Sequence, residues 1–238
     1  MREEGGPQIV IDELAGLQQR LAAELESGAR EAIAARGRFV IALTGGSVAQ
    51  TFFPALAHAA VDWTLTDFFW IDERAVPPDD PESNYALAAT LWLIPARVPA
   101  SRIHRMRGED GDLDRAAQIA SDELRVVAGN PPCLDLALLG VGEDGHVASI
   151  FARRSLGEGG QLVVAVYDSP KPPSRRLTLT MPVLSGARRV VIAALGRSKA
   201  AAIRDGLAKD GVTPLAELLR RSQSTLLLLD RDASVSAL

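Results

Sequence analysis

At 238 residues the chain is long enough to bury a core of ordinary domain size. Apolar residues make up 47% and charged residues 24%, a globular balance that excludes wholesale disorder and fibrous repeats. Twenty-six Lys and Arg against 30 Asp and Glu give a formal net charge of -4, so the chain has no overall attraction to nucleic acid or an anionic membrane, and any anionic ligand needs a local positive site. Cys133 is the only cysteine, which excludes an internal disulfide and a cysteine-based zinc cluster and points to a reducing compartment. Residues 1–6 lack the basic-then-apolar layout of a signal peptide, and no apolar run approaches the ~18 residues a membrane helix needs. The expected location is the cytoplasm, with no membrane or nucleic-acid partner.

In chain order, a strand is expected at 9–11, followed by a helix on which Leu14, Leu17, Leu21 and Leu25 keep helical spacing. A strand at 39–43 leads through Thr44-Gly45-Gly46-Ser47 into a helix over 48–60, carried by Val48, Phe52 and Leu56. Further strands are expected at 68–71, 134–139, 162–166, 190–195 and 226–229, with a helix marked by Leu113, Ala117, Ala120, Leu124 and Val127 before the second of these. The strands are continuously rather than alternately apolar, so both faces should be covered. Strand and helix alternate, which predicts an α/β fold with a mainly parallel layered sheet. Breaks are short, and neither an internal repeat nor a linker composition appears, so residues 1–238 are expected to form one domain. The polar, Gly-rich stretch 151–160 is expected to be a mobile surface loop.

Ligands of such sheets bind beyond the C-terminal ends of the strands, so the loops that follow strands are the places to seek chemistry. In Thr44-Gly45-Gly46-Ser47 two glycines permit close backbone approach, and Ser47 can offer a hydroxyl and cap the helix, whose free N–H groups attract phosphate. The segment lacks the ending of a Walker loop and the spacing of a dinucleotide fingerprint. Asp72-Glu73-Arg74, just past a strand, brings carboxylates that can orient hydroxyls and a guanidinium that can meet an anion; Ser83-Asn84-Tyr85 opens the next helix.

The sharpest signal is Gly140-Val141-Gly142-Glu143-Asp144-Gly145-His146-Val147-Ala148-Ser149, where a buried strand runs into three glycines around an Asp-x-His pair. An imidazole held by a carboxylate suits general-base work near neutrality. His58 and His104 read as structural or surface residues. The three histidines are not clustered, so no metal site is expected, and the absence of Gly-x-Ser-x-Gly argues against Ser149 as a nucleophile. Basic residues also stand in Ser169-Pro170-Lys171-Pro172-Pro173-Ser174-Arg175-Arg176 and in Gly196-Arg197-Ser198-Lys199, from which they can close round an anion.

In this order, these segments closely resemble the glucosamine-6-phosphate isomerase/6-phosphogluconolactonase family, on its lactonase side, from about residue 38 to about residue 207. The resemblance implies the Rossmann-like fold shared with glucosamine-6-phosphate deaminase and ribose-5-phosphate isomerase. It also implies hydrolysis of 6-phospho-D-glucono-1,5-lactone in the pentose phosphate pathway, without a cofactor. Where the lactonases usually read Ser-Leu-Phe-Pro, this chain has Ser149-Ile150-Phe151-Ala152. The deaminases instead resemble Asp-Glu-Tyr at Asp72-Glu73-Arg74 and carry a Glu at Phe151, so their ring-opening acid is missing here.

The chemistry of a lactone needs a placed water, a base and charge stabilisation at the carbonyl oxygen. His146 is the expected base, oriented by Asp144 or a neighbouring backbone group, with Asp72 binding hydroxyls or placing the water. Arg74 is expected to serve either the oxyanion or the phosphate. Gly45, Gly46, Ser47, Arg176 and Lys199 are expected to hold the phosphate, fixing the reacting end in place. A sugar-phosphate isomerase or deaminase, or a non-catalytic sensor that would usually add a DNA-binding helix-turn-helix, would use the same cradle; the residues before 38 read as one strand and one helix instead. The chain is expected to work as a monomer or a weak homo-oligomer.

Overall fold

The structure, a computed structural model, describes residues 6–151 and 160–234. In chain order the elements are β1 (Gln8–Ile11), α1 (Leu14–Arg36), β2 (Phe39–Leu43), α2 (Gly46–Leu56), β3 (Thr66–Trp70), β4 (Asp72–Arg74) and α3 (Asn84–Ala88). There follow α4 (Leu113–Ala128), β5 (Leu136–Gly140), β6 (Val163–Val166), β7 (Arg176–Leu179), α5 (Met181–Ser185) and β8 (Arg189–Ala194). The described chain closes with α6 (Ala200–Leu207), α7 (Pro214–Arg221), β9 (Thr225–Leu229) and α8 (Arg231–Ser234). A six-stranded parallel sheet has the order β1-β9-β8-β5-β2-β3, and a three-stranded antiparallel sheet has the order β4-β7-β6. The α/β fold with a mainly parallel layered sheet is therefore as expected.

The unbroken apolar runs have a simple explanation in the pleat. Successive side chains point to opposite faces, so Val40 and Ala42 of β2 join one core while Phe39, Ile41 and Leu43 join the other. Leu227 and Leu229 of β9 likewise pack against Ile203, Leu215 and Leu218, whereas Leu226 and Leu228 lie on the side of Leu17, Leu21 and Leu25 from α1. Both faces of the parallel sheet are covered, as such sheets require. The antiparallel sheet shares the first core, to which it contributes Val163, Leu177 and Leu179. Among the described residues no helix is long and apolar enough to cross a membrane.

The helix on which Leu14, Leu17, Leu21 and Leu25 keep their spacing is as expected, and three other local readings are corrected. Helix α1 runs well past Leu25, to Arg36, and ends where Gly37 turns left-handed (φ 75°) and returns its N–H to the Ile33 carbonyl. The helix expected at 48–60 starts earlier and ends at Leu56; Gly45 occupies its N-cap without a side-chain cap, so Ser47 sits inside the first turn and does not cap it. The strand at 162–166 is real but belongs to the antiparallel sheet. Asp72–Arg74, read as loop, is the edge strand β4, pairing antiparallel with Arg176–Leu179; three polar residues carry no strand pattern of their own, and the pairing comes from a segment a hundred residues away. Of the loop expected at 151–160, residues 152–159 lie outside the described residues.

Candidate active site

Strands β2, β3, β5 and β8 end on the same edge of the parallel sheet, and the loops leaving them surround a cavity of about 270 Å³. The β2–α2 loop contributes Thr44, Gly45, Gly46 and Ser47; β4 contributes Asp72 and Arg74; the loop after β5 brings Gly142 and His146; the proline-rich loop and β7 add Lys171 and Arg176; Lys199 follows β8. Eight of the nine expected site residues thus line one cavity, and the ninth, Asp144, touches it through His146.

The alternation along β4 sorts its three charged residues. Asp72 and Arg74 face the cavity, while Glu73 between them turns inward and is buried. Its carboxylate accepts the N–H groups of Arg74, Asn84 and Tyr85 and the Ser83 hydroxyl at 2.7–3.1 Å. Burial outweighs those bonds and raises its pKa. Glu73 therefore anchors the first turn of α3.

Asp72 is buried and held from three sides: Ser149 Oγ donates to Oδ2 at 2.7 Å, Asn84 Nδ2 donates to Oδ1 at 3.1 Å, and Arg176 Nη1 lies 3.8 Å from Oδ2. Across the strand pair Arg74 stands directly opposite Arg176. Two like charges in that position repel, a cost that an anion in the cavity relieves. Arg74 also donates from Nη1 to the Glu82 carbonyl at 2.6 Å.

Arg176 is 5% exposed and largely occupied. Nε donates to the Pro173 carbonyl at 3.0 Å, Nη2 to the Lys171 and Pro172 carbonyls at 3.1 Å each, and Nη1 to Ser149 Oγ at 3.4 Å. Of the five guanidinium N–H groups, one on Nη1 is left for a ligand among the described residues. Lys199 presents the opposite case. Its ammonium has no hydrogen bond or ion pair among the described residues, and burial lowers its pKa against the pull of Glu143 and Asp144.

His146 Nδ1 meets Asp144 Oδ1 at 2.5 Å, and the ring lies against Phe151 with centroids 4.7 Å apart. Ionised Asp144 accepts only, so Nδ1 carries the proton and Nε2 keeps its lone pair. Burial pushes the imidazole pKa below its ordinary value even though Asp144 pulls it up. Burial acts upward on Asp144 too, but the bond from His146 and the nearby Lys171, with Nζ at 3.9 Å, leave that carboxylate below its usual range. Gly142 admits the dyad, since a Cβ there would overlap His146 Nδ1. Gly46, at φ 63°, takes a left-handed turn that favours glycine at the head of α2.

Asn84, Ser149 and Lys171 stand in motif segments that the sequence makes visible, but only the fold sets the first two on Asp72 and the third beside Asp144. Ser149 is fully buried and bonded to Asp72 and Arg176, which fits its dismissal as a nucleophile. His58 is exposed. His104 is structural, stacked on Phe69 at 4.6 Å and bonded to both Asp67 and Glu123. Among the described residues no group of three or more His, Cys, Asp or Glu is arranged to hold a metal ion.

Among proteins of known name, the chain is 40% identical over 215 residues to the 6-phosphogluconolactonase of Mycobacterium tuberculosis, covering 85% of this chain and 87% of that one. It is 35% identical over 244 residues to the 6-phosphogluconolactonase of Streptomyces coelicolor, covering 96% and 94%. The crystal structure of 6-phosphogluconolactonase from Thermotoga maritima superposes with a TM-score of 0.82 at 26% identity, covering 95% and 99%. A monomeric glucosamine-6-phosphate deaminase shares the fold, with a TM-score of 0.81 at 18% identity over 96% of this chain and 99% of that one. The sequence profile described as glucosamine-6-phosphate isomerases/6-phosphogluconolactonase matches residues 12–227. With nearly the whole chain inside that match, and the expected motifs gathered at one sheet edge, the chain belongs to the glucosamine-6-phosphate isomerase/6-phosphogluconolactonase family.

Proposed function

We propose that the chain is a single-domain cytoplasmic enzyme that hydrolyses 6-phospho-D-glucono-1,5-lactone to 6-phospho-D-gluconate in the oxidative pentose phosphate pathway. The observation that carries this reading is the Asp144–His146 dyad facing the same cavity as Asp72 and Lys199, whose ammonium has no partner among the described residues. Nδ1 bonded to Asp144 leaves Nε2 free to take a proton from water, whose oxygen then attacks the lactone carbonyl carbon. Arg74 and Lys171 supply positive charge for the oxyanion of the tetrahedral intermediate. Collapse of that intermediate breaks the bond to the ring oxygen, which leaves with the proton returned by His146, so one water is consumed and the acid and the hydroxyl are formed.

At the other end Ser47, the N–H groups at the head of α2, Lys199 and the remaining Arg176 N–H take the phosphate. Asp72 receives sugar hydroxyls or the attacking water. Phe151, packed on His146, stands where ring opening of an amino sugar would need an acid. The test is hydrolysis of freshly prepared 6-phosphogluconolactone above its spontaneous rate. Release of ammonia from glucosamine 6-phosphate at a comparable rate overturns the assignment.

A further inference from the structure

Asn84 lines the cavity yet is 1% exposed, and its contacts run in two directions. Nδ2 donates to both the Asp72 carbonyl, at 2.9 Å, and Asp72 Oδ1, at 3.1 Å. Two acceptors on one side fix the amide with its nitrogen toward Asp72, because the opposite orientation would set oxygen against a carboxylate. The carboxamide oxygen then points the other way, onto Gly45, where it is buried and has no hydrogen-bond partner among the described residues. Gly45 has φ -109°, which any residue can adopt, so its backbone does not require glycine. The Asn84 oxygen does, because a Cβ on Gly45 would overlap it. The Asn84 backbone N–H is in turn held by Glu73 at 2.8 Å.

We propose that Asn84 is a positioning residue which locks the aim of Asp72 to the position of the β2–α2 loop. A substrate anion seated at the head of α2 thereby sets the carboxylate at the reacting end, through one rigid side chain and no contact between Asn84 and the reacting atoms. The inference rests on the lactonase reading above and deepens it. A buried orphan oxygen pressed on glycine costs stability, and the cost is repaid in preorganisation of Asp72.

The experiment measures kcat and KM for 6-phosphogluconolactone in the parent chain, Asn84→Ala, Asn84→Asp, Gly45→Ala and the Gly45→Ala/Asn84→Ala double variant, with a thermal melt of each. Loss of the bonds that aim Asp72 should lower kcat about tenfold in Asn84→Ala and leave KM within about threefold. Asn84→Asp keeps the shape but sets a carboxylate against Asp72, so kcat should fall at least as far; it is the measurement to rely on if the alanine variant does not fold. Gly45→Ala should lower kcat by displacing the carboxamide, and in the Asn84→Ala background it should cost less than about twofold more, because the added methyl fills the vacated space.

An Asn84→Asp kcat within twofold of the parent overturns the proposal, as do losses carried by KM alone or independent, multiplying losses in the double variant. If the parent itself does not hydrolyse the lactone, the functional reading fails and this inference falls with it; if the parent is active and the Asn84 variants are indifferent, this inference alone fails.

Discussion

Replacing Lys199 and Arg176 separates two roles that look alike in the sequence. Both cations line the cavity, but the Lys199 ammonium is unpartnered among the described residues, whereas Arg176 spends four N–H groups on three loop carbonyls and Ser149. A charge-assisted hydrogen bond to phosphate contributes ~1.5–3 kcal/mol, so Lys199→Ala should lower kcat/KM on 6-phosphogluconolactone by about 10- to 150-fold. On unphosphorylated gluconolactone the same variant should change little, because the missing contact has no partner there, and its melting temperature should stay close to that of the parent.

Arg176→Ala leaves the carbonyls of Lys171, Pro172 and Pro173 without their donor and buried Asp72 without its nearest cation. At about 1 kcal/mol for each lost bond the fold should lose about 3 kcal/mol, or about 6–12 °C in Tm for a chain of this size. Activity should fall on both lactones, and further on the phosphorylated one, which also loses the remaining Arg176 N–H. The assay is lactone hydrolysis on the two substrates with parallel thermal melts. Equal losses of kcat/KM on both lactones in Lys199→Ala would refute its place on the phosphate, and a selective loss with an unchanged melt in Arg176→Ala would refute the supporting role assigned to that side chain.

His146→Ala should lower kcat by ~10²–10⁴ with KM little changed. Because burial holds the imidazole below 6.5, it is neutral and competent as a base at pH 7, and kcat/KM should fall only as the pH drops below about 6.5. Asp144→Asn removes an upward pull, so it should move that limb to still lower pH while reducing kcat through loss of the fixed tautomer; a limb that stays in place excludes the pair from the mechanism. His104 provides a test away from the site. Its bonds to Asp67 and Glu123 outweigh burial and raise its pKa from 6.5 to about 9, which corresponds to about 3 kcal/mol at ~1.36 kcal/mol per pH unit. A raised pKa means the stabilisation is complete below about pH 6.5 and is lost as the pH rises through about 9, so urea unfolding at pH 6, 8 and 10 should show the gap between the parent and His104→Gln closing, and a constant gap would refute the clamp.

Much of this site is legible in local sequence because its loops are read from their immediate neighbours. Gly140 to Ser149 announces itself by a buried strand meeting three glycines and an Asp-x-His pair, and Gly142 does admit the His146 ring. Thr44-Gly45-Gly46-Ser47 is visible by the same logic, although the capping role given to Ser47 fails because α2 begins at Gly46, two residues before the pattern of Val48, Phe52 and Leu56 can register it. Glu73 stands between Asp72 and Arg74 in one charged cluster, and nothing in three adjacent charges tells which one turns inward.

What the sequence determined by itself is the set of parallel strands and the loops at their C-terminal ends, since an apolar run covered on both faces and a glycine-rich turn are local properties of the chain. Tertiary structure alone decided the rest of the site. The pairing of β4 with β7 turns a charged tripeptide into a strand, sets Arg176 opposite Arg74 and directs Glu73 into the protein. It also brings Ser149 and Asn84 onto Asp72 from segments 77 and 12 residues away. Those contacts arise because backbone groups at a sheet edge must find partners, and the partner they find is fixed by the packing of the whole core and not by any neighbour along the chain.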